Sequence, residues 1–119
     1  MIRIGFQNCI EQCFTCATAC QQCISDCLQE TELPMLTACI NLNRECLLIC
    51  TANAQLMAIA GSNAHALCQT CYEMCLACAM ECERHVKMEH CQLCAEECRK
   101  CASACSERME QAGLENRLN

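Results

Sequence analysis

Residues 9–27 read CIEQCFTCATACQQCISDC, and the six cysteines in this stretch recur at steps of 4, 3, 4, 3 and 4. Steps of three and four residues place side chains on one face of an α-helix, where Leu, Ile and Val normally form the core. The stretch therefore predicts a helix whose core-facing stripe consists of thiols.

Three later segments repeat this pattern, and every one of the 19 cysteines belongs to a stripe. Pro34 suits the first turn of the second helix, Gly61 marks its end, and Gly113 marks the end of the fourth. The stripes are Cys9, Cys13, Cys16, Cys20, Cys23 and Cys27; Cys39, Cys46 and Cys50; Cys68, Cys71, Cys75, Cys78 and Cys82; and Cys91, Cys94, Cys98, Cys101 and Cys105.

Four helices with short connections fold most simply as an antiparallel up-down-up-down bundle. The steps average about 3.5 residues, which is the coiled-coil period, and almost no strand is expected. We therefore predict an all-α fold, a single four-helix-bundle domain over residues 1–119 with a cysteine-lined core. The predicted helices span roughly residues 6–30, 34–60, 63–85 and 88–112.

Charge and hydropathy exclude several classes of function. The formal charge is −6, and the eight Lys and Arg are scattered, which argues against binding to nucleic acid or anionic membranes. The N-terminus, MIRIGFQNC, lacks a signal-peptide run, and no stretch approaches the roughly 20 apolar residues of a membrane span. We expect a cytoplasmic protein with neither a nucleic-acid nor a membrane partner.

Disulfide bonds and simple packing explain the cysteines poorly. An odd count of 19 cannot pair completely, and cytosolic thiols are kept reduced. Cysteines one turn apart on a helix face are also badly placed for a disulfide. Leu or Ile would fill the same stripes with more buried apolar area. The pattern indicates a metal-binding core instead.

Charge decides which metal suits such a core. Buried anions are severely unfavourable without compensation, and one monovalent ion per thiolate leaves the interior neutral. Zn(II) bound by four thiolates per ion would leave about nine negative charges inside. Soft thiolates favour Cu(I), and iron–sulfur clusters need compact four-cysteine sets. The sequence predicts storage or sequestration of multiple Cu(I) ions, with a zinc or other soft-metal reservoir as the alternative.

A thiol redox protein is the remaining alternative, and it would be the only enzyme among these hypotheses. Redox enzymes normally use one CxxC pair that follows a strand in a βαβ unit. Here six pairs occur inside helix-like segments, and no catalytic residue can be assigned. We expect no enzymatic activity. The pairs are Cys13/Cys16, Cys20/Cys23, Cys68/Cys71, Cys75/Cys78, Cys91/Cys94 and Cys98/Cys101.

The cysteine ladders CFTCATACQQC, CINLNRECLLIC, CQTCYEMCLACAMEC and CQLCAEECRKCASAC cover nearly the whole chain. They resemble those of the four-helix-bundle copper storage proteins, the Csp family, and more closely its cytosolic branch. The resemblance implies a core that binds many Cu(I) ions through thiolates. It also implies a homotetramer, which would give the outward-facing Leu48, Leu76 and Met80 a purpose. Copper chaperones or small-molecule thiols are candidate exchange partners.

The turn between the third and fourth helices reads ERHVKMEHC. Related family members often have a histidine-rich turn here, thought to form the mouth of the bundle. His85 and His90 are therefore candidate copper ligands, with Met88 between them and Met35 expected at the same end. The alternative, that both histidines are merely solvated turn residues, remains open.

Two further residues stand out. Asn43 occupies a stripe position where a thiol is missing, and it could fill space, form hydrogen bonds in the core or touch copper weakly. Filling space is the preferred interpretation. His65 lies at the opposite end from the turn and is interpreted as a helix-start residue.

Overall fold

The computed structural model describes the backbone of residues 4–118 and the side chains of residues 6–113. Within this part of the chain there are four α-helices and a single 3₁₀ turn, with no strand. Each helix packs against two neighbours, and the molecule measures 55 × 21 × 18 Å. The predicted four-helix bundle with a cysteine-lined core is confirmed. The elements are α1 Ile4–Cys27, the 3₁₀ turn Leu33–Leu36, α2 Thr37–Ala58, α3 Ala64–Glu83 and α4 Glu89–Leu118.

The helix ends differ from the expected ones by a few residues. α1 stops at Cys27 rather than near residue 30, and Pro34 lies in the 3₁₀ turn before α2 rather than in its first turn. Gly113 does not end α4, which continues for five residues beyond it. Glycine within a helix costs only about 1 kcal/mol relative to alanine. That penalty is too small to terminate a helix of 30 residues.

The link between α2 and α3 turns at Ala60, and the next residue is a glycine because the chain passes close to Leu56 there. Ala60 adopts the left-handed conformation with φ of 51°, and the Gly61 N–H donates to the Leu56 carbonyl at 2.9 Å. A Cβ atom on Gly61 would lie 3.0 Å from Leu56 Cδ2, so the close approach favours glycine. Asn63 occupies the N-cap position of α3, but its side chain forms no capping hydrogen bond.

The hydropathy of α2 exceeds the expectation from the sequence. By length and composition alone, the segment 33–58 could cross a membrane. In the bundle, however, 33% of its most apolar window is buried, and the stripe that faces the core carries cysteines and asparagines. Leu48, on the outer face, is 68% exposed. The apolar character of α2 therefore belongs partly to the core and partly to an exposed surface.

Candidate metal centre

All 19 cysteines named above point into one continuous core. Every one of them is free and buried. Only Cys23 and Cys94 retain any exposed fraction, 1% and 2%, and the other cysteines have none. The 3-and-4 spacing places the thiols of each helix on its inner face, and the packing of four helices brings the stripes together. We call this set of thiols the thiol channel.

Neighbouring sulfurs in the thiol channel lie at distances that suit a shared soft metal ion. Within one helix, the Sγ atoms of Cys46 and Cys50 are 3.8 Å apart, and those of Cys71 and Cys75 are 4.0 Å apart. Between helices, Cys50 Sγ lies 3.7 Å from Cys75 Sγ. Three thiolates bound to one ion at about 2.3 Å would lie about 4.0 Å apart. Only small side-chain movements are needed to seat an ion.

The sulfurs form overlapping groups rather than isolated sites. In each group, four Sγ atoms lie within 4.8 Å of one another, and Cys16 and Cys50 each belong to two groups. A metal ion bound in one group would therefore share thiolates with ions in the next. The groups include Cys13–Cys71–Cys101–Cys105, Cys16–Cys46–Cys50–Cys75, Cys16–Cys20–Cys46–Cys98, Cys23–Cys27–Cys39–Cys91 and Cys50–Cys71–Cys75–Cys101.

Asn43 forms hydrogen bonds inside the thiol channel, so it does more than fill space. Its Nδ2 donates to the Cys39 carbonyl at 2.8 Å and lies 3.5 Å from Cys82 Sγ. Its Oδ1 accepts a hydrogen bond from Cys94 Sγ at 3.0 Å. An amide N–H directed at sulfur favours the thiolate form, which is the form that binds metal.

Asn53 takes a similar place near the other end of α2. Its Nδ2 lies 3.5 Å from Cys13 Sγ and 3.7 Å from Cys105 Sγ. Its Oδ1 is buried and has no hydrogen-bond partner among the described residues. Both asparagines therefore direct amide donors at cysteine sulfurs where α2 lacks a thiol.

The two histidines predicted at the mouth contact different groups. His90 Nε2 lies 3.5 Å from Cys27 Sγ, which places this imidazole directly against the thiol channel. His85 Nε2 instead lies 2.9 Å from the Glu81 carboxylate. A soft metal ion at the channel end could therefore reach His90 without any rearrangement, whereas His85 would first have to leave Glu81.

The two methionines near this turn, Met88 and Met35, also differ in their contact with the core. Met88 is partly buried against the core, whereas Met35 is 67% exposed. Gln92 Nε2 donates to the carbonyls of Cys82 and His85 at 3.2 and 2.9 Å, which ties the turn to the end of α3. Of the two thioethers, only Met88 lies beside the channel.

Arg108 closes the opposite end of the thiol channel, and the sequence analysis did not single it out. The residue is 4% exposed, one guanidinium nitrogen lies 3.3 Å from His65 Nδ1, and the guanidinium carbon lies 4.3 Å from the centroid of the Phe6 ring. Its Nε has no partner, and no carboxylate pairs with it among residues 6–113. The sequence did contain a signal for this contact. One more step of three residues from Cys105 reaches position 108, and the same step back from Cys68 reaches His65.

The two neighbouring thiols at the mouth, Cys27 and Cys91, differ in how readily they ionise. Burial, followed by the charge of Cys91, raises the pKa of Cys27 to about 11. Interactions with the neighbouring thiols of Cys23 and Cys39 lower the pKa of Cys91 to about 3, and the charge of His90 acts in the same direction. One of this adjacent pair thus carries negative charge more readily than the other.

Cys68, near Arg108, is the corresponding thiol at the closed end. Interactions with Cys105 and Cys9 lower the pKa of Cys68 to about 4, and the positive charge of Arg108 contributes to the shift. A permanent cation beside a thiolate offsets part of the cost of burying that anion. This end of the channel therefore carries its own counter-charge.

Comparison with known proteins gives a consistent result. The family model described as Csp, copper storage protein, matches residues 3–110. A cytosolic copper storage protein from Streptomyces lividans, solved with five coppers, is 40% identical over 89% of this chain and 92% of its own, with a TM-score of 0.86. The Cu(I)-bound copper storage protein BsCsp3, from Bacillus subtilis, is 36% identical over 88% of this chain and 98% of its own, with a TM-score of 0.84.

A further relative is YhjQ, an uncharacterised cysteine-rich protein of Bacillus subtilis strain 168. It is 39% identical over 79 residues, which represent 66% of this chain and 73% of that protein. The family model covers far more than half of the chain, and the solved copper storage proteins share its fold. The chain therefore belongs to the Csp copper storage protein family.

Proposed function

We propose that this protein stores multiple Cu(I) ions in the cytosol on the thiolates of its core. The observation that carries the proposal is the unbroken network of buried, free cysteines with Sγ separations such as the 3.7 Å between Cys50 and Cys71. Membership of the copper storage family and the copper-bound states of the relatives support it.

Charge balance favours Cu(I) over zinc. When a cysteine S–H bond breaks and a Cu(I)–S bond forms, a proton leaves and a single positive charge replaces it, so the core stays neutral. Zn(II) held by four thiolates would leave two negative charges at each site in a buried environment. Arg108 is the only buried cationic side chain among residues 6–113, so protein groups could not neutralise that excess.

Anaerobic titration with Cu(I) and metal analysis of the purified chain test the proposal. Binding should continue to roughly one ion per thiol, because each thiolate neutralises one monovalent ion, and thiol reactivity should fall in parallel. A double Cys16→Ser, Cys50→Ser variant should hold fewer ions, because each residue belongs to two of the sulfur groups. Saturation at about five ions or fewer, the number expected for four thiolates per ion, would contradict Cu(I) storage, as would preference for Zn(II) in competition.

We propose no enzymatic role for the CxxC pairs. All six pairs lie inside helices and face the core, where a substrate disulfide has no access. A reactive redox cysteine needs partial exposure as well as a lowered pKa. Reductase turnover of a protein disulfide by the apo chain would contradict this assignment.

Assembly into a homo-oligomer, with the tetramer implied by the family resemblance, belongs to the same proposal. Leu48 on α2 and Met80 on α3 are 68% and 62% exposed, and contiguous exposed apolar surface often mediates association. Leu76 packs partly against the core and would contribute less. Light scattering of the purified chain distinguishes a tetramer from a monomer. Copper chaperones or small-molecule thiols remain the proposed exchange partners.

A further inference from the structure

Arg108 places a permanent positive charge inside the bundle, in line with the cysteines. It is 4% exposed and follows Cys105 by three residues, so it continues the inner stripe of α4 by about one helical turn. The other Lys and Arg side chains between residues 6 and 113 are all exposed to solvent. Arg108 is therefore a fixed charge of the core, whereas the other cations are surface groups.

The groups in contact with this guanidinium carry no formal negative charge. One terminal nitrogen lies 3.3 Å from His65 Nδ1, and the guanidinium carbon lies 4.3 Å from the centroid of the Phe6 ring. The Nε atom is buried without a hydrogen-bond partner, and no carboxylate pairs with Arg108 in the part of the chain whose side chains are described. A buried cation without an anion is unfavourable, so its counter-charge must come from another nearby group.

The nearby groups that can become anions are thiols. Cys9, Cys68 and Cys105 are the end members of the stripes on α1, α3 and α4, and the antiparallel packing brings them to the end where Arg108 lies. Cys9 Sγ lies 3.8 Å from Cys105 Sγ, and Cys68 Sγ donates to the Cys105 carbonyl at 3.6 Å. Interactions with Cys105 and Cys9 lower the pKa of Cys68, and the charge of Arg108 acts in the same direction. We call these three cysteines the end layer.

The charge of Arg108 changes the number of monovalent ions that leave the core neutral. Each Cu(I) ion balances one thiolate, and the guanidinium balances one thiolate by itself. The 19 thiolates then need one Cu(I) ion fewer than their own number. One further ion would leave an unbalanced positive charge in a buried environment, next to a guanidinium that repels it.

We propose that Arg108 takes the place of one Cu(I) ion at the end layer, so that the saturated chain binds one ion fewer than it has thiols. The proposal rests on Cu(I) storage as the function of the chain. Every cysteine S–H bond breaks and every proton leaves to solvent. A copper ion replaces each proton except one, and Arg108 offsets the charge of the remaining thiolate. Copper stays Cu(I) throughout, so no electron donor or acceptor is needed.

Counting the ions bound per chain tests the proposal. The anaerobic protein is saturated with Cu(I), weakly held copper is removed with a Cu(I) chelator, and native mass spectrometry resolves each bound ion. Arg108→Gln and Arg108→Leu should each bind one ion more than the wild type, because both remove the charge. Gln still donates hydrogen bonds and Leu does not, so agreement between them isolates charge as the cause. Arg108→Lys keeps the charge and should match the wild-type count.

Arg99→Met is the matched control, because it removes an exposed cation from the same helix, outside the thiol channel. Its count should equal that of the wild type. Equal or lower counts in the two neutral variants would overturn the proposal, as would an additional ion in Arg108→Lys. A merely structural role for Arg108 would change the melting temperature of the variants without adding an ion. Saturation of the wild type at about five ions or fewer would overturn the storage function instead.

Two further measurements test the charge and the place of the missing ion. Ag(I) carries the same single charge as Cu(I) but is larger, so the difference of one ion between Arg108→Gln and the wild type should persist with Ag(I). A difference seen with Cu(I) alone would overturn the role of charge. Anomalous diffraction from crystals of copper-loaded Arg108→Gln should locate the additional ion at the end layer. An additional ion beside His90 instead would also overturn the proposal.

Discussion

At the end of the thiol channel where α1 stops, the imidazole of His90 lies 3.5 Å from Cys27 Sγ. At the other end, the guanidinium of Arg108 lies 4.3 Å from the Phe6 ring centroid, beside His65. A neutral imidazole can bind a soft metal ion through a ring nitrogen. Guanidinium keeps its charge and cannot. One end is thus chemically suited to pass Cu(I), whereas the other repels it.

The two ends also differ in the group that supports a thiolate there. Burial raises the pKa of Cys27 to about 11, so this thiol keeps its proton until a metal ion replaces it. Interactions with Cys105 and Cys9, aided by Arg108, lower the pKa of Cys68 to about 4. A permanent cation supports a thiolate at the closed end in the absence of copper. At the open end Cys91 also has a lowered pKa, about 3, set chiefly by interactions with Cys23 and Cys39, and the charge of His90 rather than a guanidinium contributes to the shift.

The largest expected effect is a loss of thermal stability when the protein without copper is brought to alkaline pH. A pKa raised from 9.0 to about 11 means that Cys27 contributes fully to stability below pH 9. Between pH 9 and 11 the unfolded chain ionises first, and that stability is lost. The thermal midpoint of the apo protein should therefore fall across this window, while that of the loaded protein stays constant because its thiols carry metal instead of protons.

Thermal melts of both forms over this pH range provide the measurement. The loaded form should also melt more than about 10 °C higher at neutral pH, because metal–thiolate bonds couple binding to folding. Equal midpoints for the apo and loaded proteins would show that copper does not stabilise the fold. A parallel alkaline fall in both forms would show that the thiols do not exchange their protons for metal.

Histidine substitutions should have an intermediate effect, on the rate of Cu(I) loading. They should slow loading at one end of the thiol channel and not at the other. His90→Ala should slow Cu(I) loading by about fivefold with little loss of capacity, since it removes a nitrogen ligand beside Cys27. His85→Ala should have a smaller effect, because this ring is bound to Glu81. His65→Ala, at the closed end, is the control and should load at the wild-type rate. Equal slowing by His65→Ala would mean that copper enters at both ends.

Replacing Arg108 should have the smallest effect on stability. Arg108→Met loses a cation–π contact of about 1 kcal/mol, but it also relieves a buried charge that no carboxylate pairs within residues 6–113. The thermal midpoint should shift by only a few degrees, as about 1 kcal/mol does in a domain of this size. The ultraviolet absorbance of thiolate in the apo protein should decrease at mildly acidic pH, since the pKa of Cys68 rises. Arg108→Lys, which keeps the charge, should retain that absorbance.

Part of the metal centre could be predicted residue by residue. The steps between Cys9 and Cys27 placed that whole stripe in the core, because helix periodicity alone puts such residues on one face. Extending the same steps would also have reached Arg108. The hydrogen bonds of Asn43 were among the alternatives left open, but its partner Cys94 lies 51 residues away, so only the packing of α4 against α2 could identify it.

The sequence by itself determined that this chain forms four helices and that its thiols meet in one core, since local periodicity dictates which face of each helix is buried. It also indicated soft, monovalent metal, because the charge of 19 thiolates must be neutralised whatever the detailed packing. Only the tertiary structure decided which histidine lies against a sulfur and how Arg108 closes one end. These features depend on how residues from different helices come together, and helix periodicity carries no information about that.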